Sequence, residues 1–173
     1  MIIFDENNPN FRLKEIEIQD IEDLRVWKNA QEGRCFHKGQ ITSEQQKKWF
    51  ESYLKKEDDF MFVLQEKYDE HYNNVGCMGF RFLGDVVDTY NIIRALKNEL
   101  SNLRTINAYL LLCTYIHSKY EKEITCRVLS NNPARPWYEM NGFDIKETHD
   151  DHVVYVLNTI KSNLKMLHKV SKR

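Results

Sequence analysis

Apolar residues recur along the chain at two spacings, and the changes between them divide it into short elements. Phe11, Leu13, Ile16 and Ile18 alternate imperfectly with polar neighbours and predict an opening strand. Ile21, Leu24 and Trp27 then follow at helical spacing, with Asp20 placed to cap that helix. Thr42-Ser43-Glu44-Gln45 has the form of a capping box, in which hydroxyl and side-chain amide satisfy opposite orphan N–H groups. It opens a second helix carrying Trp49, Phe50, Tyr53 and Leu54. Residues 60–65 read as a short apolar strand, and the charged stretch 66–74 as a solvated loop. Strands are predicted over 75–83 and 86–96, because Gly84-Asp85 between them supplies the positive φ of a two-residue hairpin turn. From 105 to 120 the chain is apolar on nearly every side, as a helix packed onto a sheet must be. Ile124, Cys126 and Val128 mark another strand, Pro133 opens a short helix that Gly142 ends, and 143–147 and 153–157 make a closing pair of strands.

The predicted order, β-α-α-β-β-β-α-β-α-β-β, implies an α/β (α+β) fold: one domain over 1–158 with a mixed central sheet flanked by helices. Residues 159–173 differ, setting Lys161, Lys165, Lys169, Lys172 and Arg173 against Ile160, Leu164, Leu167 and Val170. They read as an appended basic amphipathic C-terminal helix, its apolar stripe docked on the domain or on a second subunit.

Composition narrows the function classes. A chain of 173 residues, 42% hydrophobic and 29% charged, supports one core. A formal net charge of −1 offers no global attraction for nucleic acid or an anionic membrane. Met1-Ile2-Ile3-Phe4 runs at once into Asp5 and Glu6, unlike a signal peptide, and the longest apolar run breaks at Thr114, short of the roughly 18 residues of a membrane span. The expectation is a cytoplasmic protein without nucleic-acid or membrane partners. Cys35, Cys77, Cys113 and Cys126 are scattered without a C-x-x-C pair and read as reduced thiols. His149-Asp150-Asp151-His152 holds metal-ligand residue types on a turn, where neighbours do not converge on one ion, so no metal is expected.

A more specific signal lies at Asn131-Asn132-Pro133-Ala134-Arg135-Pro136-Trp137-Tyr138-Glu139-Met140-Asn141-Gly142-Phe143. It resembles the N-x-x-A-x-x-x-Y-E-x-x-G-F signature of the Gcn5-related N-acetyltransferase superfamily. Asn131, Ala134, Tyr138, Glu139, Gly142 and Phe143 fall in register. Leu24-Arg25-Val26-Trp27-Lys28-Asn29, then Ile41 and Trp49-Phe50, look like the branch that acetylates ribosomal-protein amino termini and nucleotide-linked amino sugars. The resemblance spans about residues 11 to 158. It implies transfer of acetyl from acetyl-coenzyme A to a primary amine by direct attack, with no metal. The family's phosphate-binding segment, Q/R-x-x-G-x-G/A, falls on Leu100, Leu103 and Thr105, and neither glycine is present. Glycine there lets main chain approach the pyrophosphate at a helix N-terminus. In its place the chain offers Ser101 and Thr105 hydroxyls and the charges of Lys97 and Arg104.

By that resemblance Ile92, Ile93, Arg94, Asn98, Ser101, Leu103, Arg104, Thr105, Asn131, Ala134 and Tyr138 meet the cofactor, and Trp27, Asn29 and His37 meet the acceptor. Tyr138 matches the donor that protonates the departing sulfur, or is a packing tyrosine beside Trp137. Asn131 contacts the pantetheine arm or makes an Asx turn. For the proton leaving the amine the candidates are Asp88, His37 or an ordered water. A second reading follows from the missing glycines: a non-catalytic binding or assembly module, dimeric through the tail.

Overall fold

In the computed structural model, residues 1–95, 101–160 and 170–172 are described, the side chains of 101–104 and 170–172 excepted. The elements are β1 (Ile2–Asp5), β2 (Asn8–Glu15), α1 (Ile21–Asn29), α2 (Ser43–Tyr53), β3 (Asp59–Tyr68), β4 (His71–Leu83) and β5 (Val86–Arg94), then α3 (Ser101–Tyr120), β6 (Glu123–Leu129), α4 (Arg135–Met140), β7 (Phe143–Thr148), β8 (His152–Leu157) and β9 (Val170–Lys172). All nine strands form one sheet in the order β7-β8-β6-β5-β4-β3-β2-β1-β9. Every pairing is antiparallel except β5 with β6.

The strands alternate between two covered faces. Phe62, Leu64, Met78, Phe80 and Val87 point into a core with α3 residues Tyr109, Leu111, Leu112 and Ile116. Met61, Val63, Cys77 and Ile93 point the other way, against Ile21 and Leu24 of α1 and Phe50 and Tyr53 of α2. A strand buried on both faces loses the simple polar alternation, which is why β3 is apolar over its middle.

The capping box forms as read: Gln45 N donates to Thr42 Oγ1 (3.2 Å) and Thr42 N to Gln45 Oε1 (2.8 Å). The Gly84-Asp85 hairpin also forms, with Gly84 at φ +62°. Several expectations are corrected. Residues 66–74 are not a loop, since β3 and β4 pair down to Tyr68 and His71 around a second two-residue turn. Asp69 takes the left-handed conformation there (φ +52°), which Asp tolerates better than most residues. Ile18 lies in a 3₁₀ turn over Ile18–Asp20 and is exposed, and the opening strand is preceded by β1. Asp20 accepts from Glu17 N (2.9 Å), so it caps that turn rather than α1. The predicted C-terminal helix over 159–173 fails at its end: Val170–Lys172 pair with β1, whose outer edge would otherwise be an unpaired row of backbone groups. Residues 161–169 lie outside the described residues.

Candidate active site

The site begins where the two parallel strands separate. The last rung between β5 and β6 is Thr89 with Cys126. Beyond it β6 continues to pair with β8 and β5 with β4, so from Tyr90 and Arg127 onward the facing edges have no partner strand. Asn91 sits at φ +51° where the β4–β5 register slips, turning the β5 edge as it leaves β6. Gly76 makes the turn feasible: a Cβ there would lie 2.4 Å from Ile93 O.

Three contiguous lobes open around this slot. One is lined by Ile92, Ile93, Arg94, Thr105, Ala134, Trp137 and Tyr138, beside the start of α3. A second, with a volume of ≈ 270 Å³, has Tyr138, Ile92 and Ile93 at one end and Asp59, Arg81 and Tyr90 at the other. The third, ≈ 200 Å³, lies under α1 and α2 between Leu24, Gln46, Trp49 and Cys77. His37, Lys28 and Asn91 line both of the last two. The loop after α1 roofs the slot, because Asn132 Nδ2 donates to Arg34 O (2.9 Å).

Tyr138 stands at the junction of the first two lobes. Its ring is clamped by Trp137 and Phe143 edge-on and by Tyr155 in a stack. Burial pushes its phenol well above the ordinary pKa, so it stays protonated. Among the described residues no hydrogen-bond partner of its hydroxyl is found.

Of the other residues singled out in the sequence, Ile92, Ile93, Arg94, Thr105 and Ala134 line the first lobe and His37 the other two. Asn98 and the side chains of Ser101, Leu103 and Arg104 lie outside the described residues. Asn131 is exposed and lines none of these lobes; the Asx turn belongs to Asn132, whose Oδ1 accepts from Ala134 N (2.9 Å). Asn29 is not a helix cap: it exchanges two hydrogen bonds with the Ile41 backbone (2.8 and 2.9 Å), fixing the loop that carries His37. Trp27 packs against the α1–α2 core outside the lobes.

Asp88 is also placed differently from expectation. It is 1% exposed, lines none of the lobes, and is not on an open hairpin face. Its Oδ2 accepts from Arg81 Nε (3.0 Å) and Nη2 (2.8 Å) and from Arg127 Nη2 (3.1 Å). A buried carboxylate held by two guanidiniums is stabilised in its charged form and is a poor proton acceptor. It anchors the two arginines that do line the cavity.

The carboxylate in the cavity wall is Asp59, which sequence reasoning passed over. It accepts a short hydrogen bond from Tyr90 and an ion pair from Lys56 (2.9 Å). Burial, then the Asp59 charge, raises the Tyr90 pKa. Tyr90 lies across from Gly79, where a Cβ would stand 3.1 Å from its ring and 2.7 Å from Phe60 O. The only advance signal was a glycine facing an aromatic across a strand pair.

No family profile and no curated protein sequence matches the chain. Solved structures do. A nucleotide-linked sugar acetyltransferase of the Gcn5-related type, FdhC, superposes with a TM-score of 0.71 at 13% identity, covering 88% of each chain. Campylobacter jejuni N-acetyltransferase PseH superposes with a TM-score of 0.62 at 15% identity, covering 87% of this chain and 99% of that one. This chain has the Gcn5-related N-acetyltransferase fold. Spermidine N-acetyltransferase from Vibrio cholerae, solved with coenzyme A and spermine, shares it at a TM-score of 0.68 and 16% identity over 86% and 94% of the two chains. Among the described residues of this acetyltransferase fold, no cluster of three or more His, Cys, Asp or Glu gathers to hold a metal, and no helix is long and apolar enough to cross a membrane.

Proposed function

We propose that the protein is an acyl-coenzyme A N-acyltransferase that moves acetyl from acetyl-coenzyme A to a primary amine. The observation that carries this reading is the position of Tyr138, a protonated phenol at the meeting point of a slot between separating parallel strands and a separate polar cavity. The slot suits the co-substrate's arm, which can add to the unpaired edge from Tyr90 to Arg94 as an extended amide chain does. The first lobe, flanked by Thr105 at the start of α3, suits its phosphate end, with Arg94 in the wall and the helix amides supplying donors that do not depend on glycine.

In the reaction the amine nitrogen attacks the thioester carbon, the C–S bond breaks, and the products are an amide and the free thiol. Tyr138 gives its proton to the departing sulfur. His37, exposed on the wall of both acceptor lobes, accepts the amine's proton and returns it to solvent, a role Asp88 is too enclosed to fill. The acceptor classes that fit these lobes are an amino sugar, free or nucleotide-linked, and a peptide amino terminus. Solved proteins of this fold act on nucleotide-linked sugars and on spermidine, which supports an amine acceptor and leaves its charge to be read from the cavity.

Thiol release from acetyl-coenzyme A in the presence of a panel of amines tests the reading. Tyr138→Phe keeps the ring and its packing and removes the proton. Turnover should fall by about 10²–10³ with cofactor affinity nearly constant, the size of a general-acid contribution. Unchanged turnover with a lower melting temperature would assign Tyr138 to packing alone.

A further inference from the structure

The chain as a whole is close to neutral, with a formal net charge of −1. The acceptor cavity is not. Lys28, Arg34, Lys56, Arg81 and Arg127 all line it, with His37 beside them. Against these five basic side chains stand two carboxylates, Asp59 in the wall and Asp88 behind it. Asp59 is matched by Lys56, and Asp88 is shared by Arg81 and Arg127. Among the described residues Lys28 and Arg34 have no carboxylate partner, and Lys28 is half-buried. Leaving cations uncompensated in a concave, partly desolvated site is unfavourable unless an anion arrives with the ligand. A cationic polyamine is the wrong sign for this cavity.

The pattern of donors says more than the sign. Three of the five groups are guanidiniums from separate elements, and planar N–H forks match phosphoryl oxygens in pairs. Asp88 takes both its hydrogen-bonded arginines through one oxygen and fixes their orientation, so each keeps donors facing the cavity wall. A single carboxylate on the acceptor would use one fork and leave the others unmatched.

We infer that the acceptor is a primary amine bearing a phosphoryl group on the same molecule, held by Lys28, Arg34, Arg81 and Arg127 while its amine is presented at Tyr138. The inference rests on the acyl-transfer reading for the presentation of the amine, but not for binding. The source of the phosphoryl group is either a sugar phosphate or a nucleoside diphosphate linked to an amino sugar, and both share the chemistry the cavity offers.

The test is therefore binding first. Glucosamine, glucosamine 6-phosphate, uridine diphosphate-glucosamine and spermidine are titrated calorimetrically into the full chain without coenzyme. At least one phosphorylated amine should bind tenfold or more tighter than glucosamine, and the preference should shrink as salt is raised from about 0.05 to 0.5 M. The tighter of the two identifies the source. Equal binding of glucosamine, or tighter binding of spermidine, overturns the inference whether or not any amine turns over. Failure of turnover with the binding preference intact would count against the acyl-transfer reading alone. Lys28→Met then localises the effect, since Lys28 lines both acceptor lobes and not the lobe beside α3. Affinity for the phosphorylated amine, or its KM where turnover is seen, should weaken about tenfold, with the loss falling on KM rather than kcat. If Lys28→Met instead weakens acetyl-coenzyme A binding and spares the phosphorylated amine, the basic lining serves the coenzyme and the inference is wrong.

Discussion

Asp88→Asn separates a structural carboxylate from a chemical one. The substitution keeps the shape and one acceptor oxygen but removes the charge that Arg81 and Arg127 share. Removing one partner of a fully buried ion pair costs about 3–5 kcal/mol. Here the Asp88 side chain is 2% exposed while Arg81 and Arg127 are 33% and 40% exposed, so water recovers part of the loss on the cation side. An expected cost of about 2–3 kcal/mol, at roughly 2–4 °C per kcal/mol for a chain of this size, lowers Tm by about 4–12 °C. Differential scanning calorimetry reads that shift, and steady-state kinetics with the preferred amine reads the rest. The acceptor KM should rise severalfold, because the two arginines lose their fixed orientation, while kcat falls less. A Tm within about 1 °C of the parent, together with a hundredfold loss of kcat and a lost limb of the pH–rate profile, would falsify this assignment and make Asp88 the proton acceptor.

Two further outcomes follow from the same packing. Gly79→Ala should destabilise by about 1–3 kcal/mol and raise the acceptor KM, since its Cβ would meet Phe60 O at 2.7 Å and press on Tyr90; parent-like urea midpoints and KM would show that Tyr90 is not seated as described. Stability should also decline at alkaline pH. Burial pushes Tyr53 up to about 12 and raises Tyr90, Tyr109 and Tyr138, so the folded state favours the neutral phenol. That contribution is complete below the ordinary value of about 10 and is lost as pH climbs through 10 to 12, on the order of 2–3 kcal/mol for Tyr53 alone. Urea melts from pH 8 to 11.5 should show the fall, and a flat profile would contradict the burial argument.

What was legible in the sequence was local chemistry and core periodicity. Thr42 and Gln45 announce a helix start because both partners lie within one turn, and Gly84 announces a hairpin because few other residues take its φ. The second hairpin was hidden because Asp69 does the same task without glycine, and because Glu66, Lys67 and Glu70 look like a loop when their partner strand is unknown. β1 and β9 are four and three residues long and exist through pairing with each other, a contact across most of the chain that no window of sequence contains.

The site divides similarly. Ala134 and Tyr138 could be placed from one contiguous motif, and the structure sets both on the wall of the slot. Asn131 was taken for the turn residue where Asn132 makes the turn, since adjacent asparagines are indistinguishable by type. The basic lining was invisible because its members come from α1, the loop after it, the end of α2, β4 and β6, and a near-neutral total charge conceals a local surplus.

The account stands most directly on whether the slot between β5 and β6 accepts acetyl-coenzyme A without the loop glycines. Calorimetric titration of acetyl-coenzyme A into the full chain, paired with thermal melts, measures this. Saturable binding is predicted, with stabilisation on the order of 2.7 kcal/mol at a hundredfold excess over Kd. No heat of binding and no change in Tm at millimolar acetyl-coenzyme A would contradict the account and favour a non-catalytic module built on the same fold.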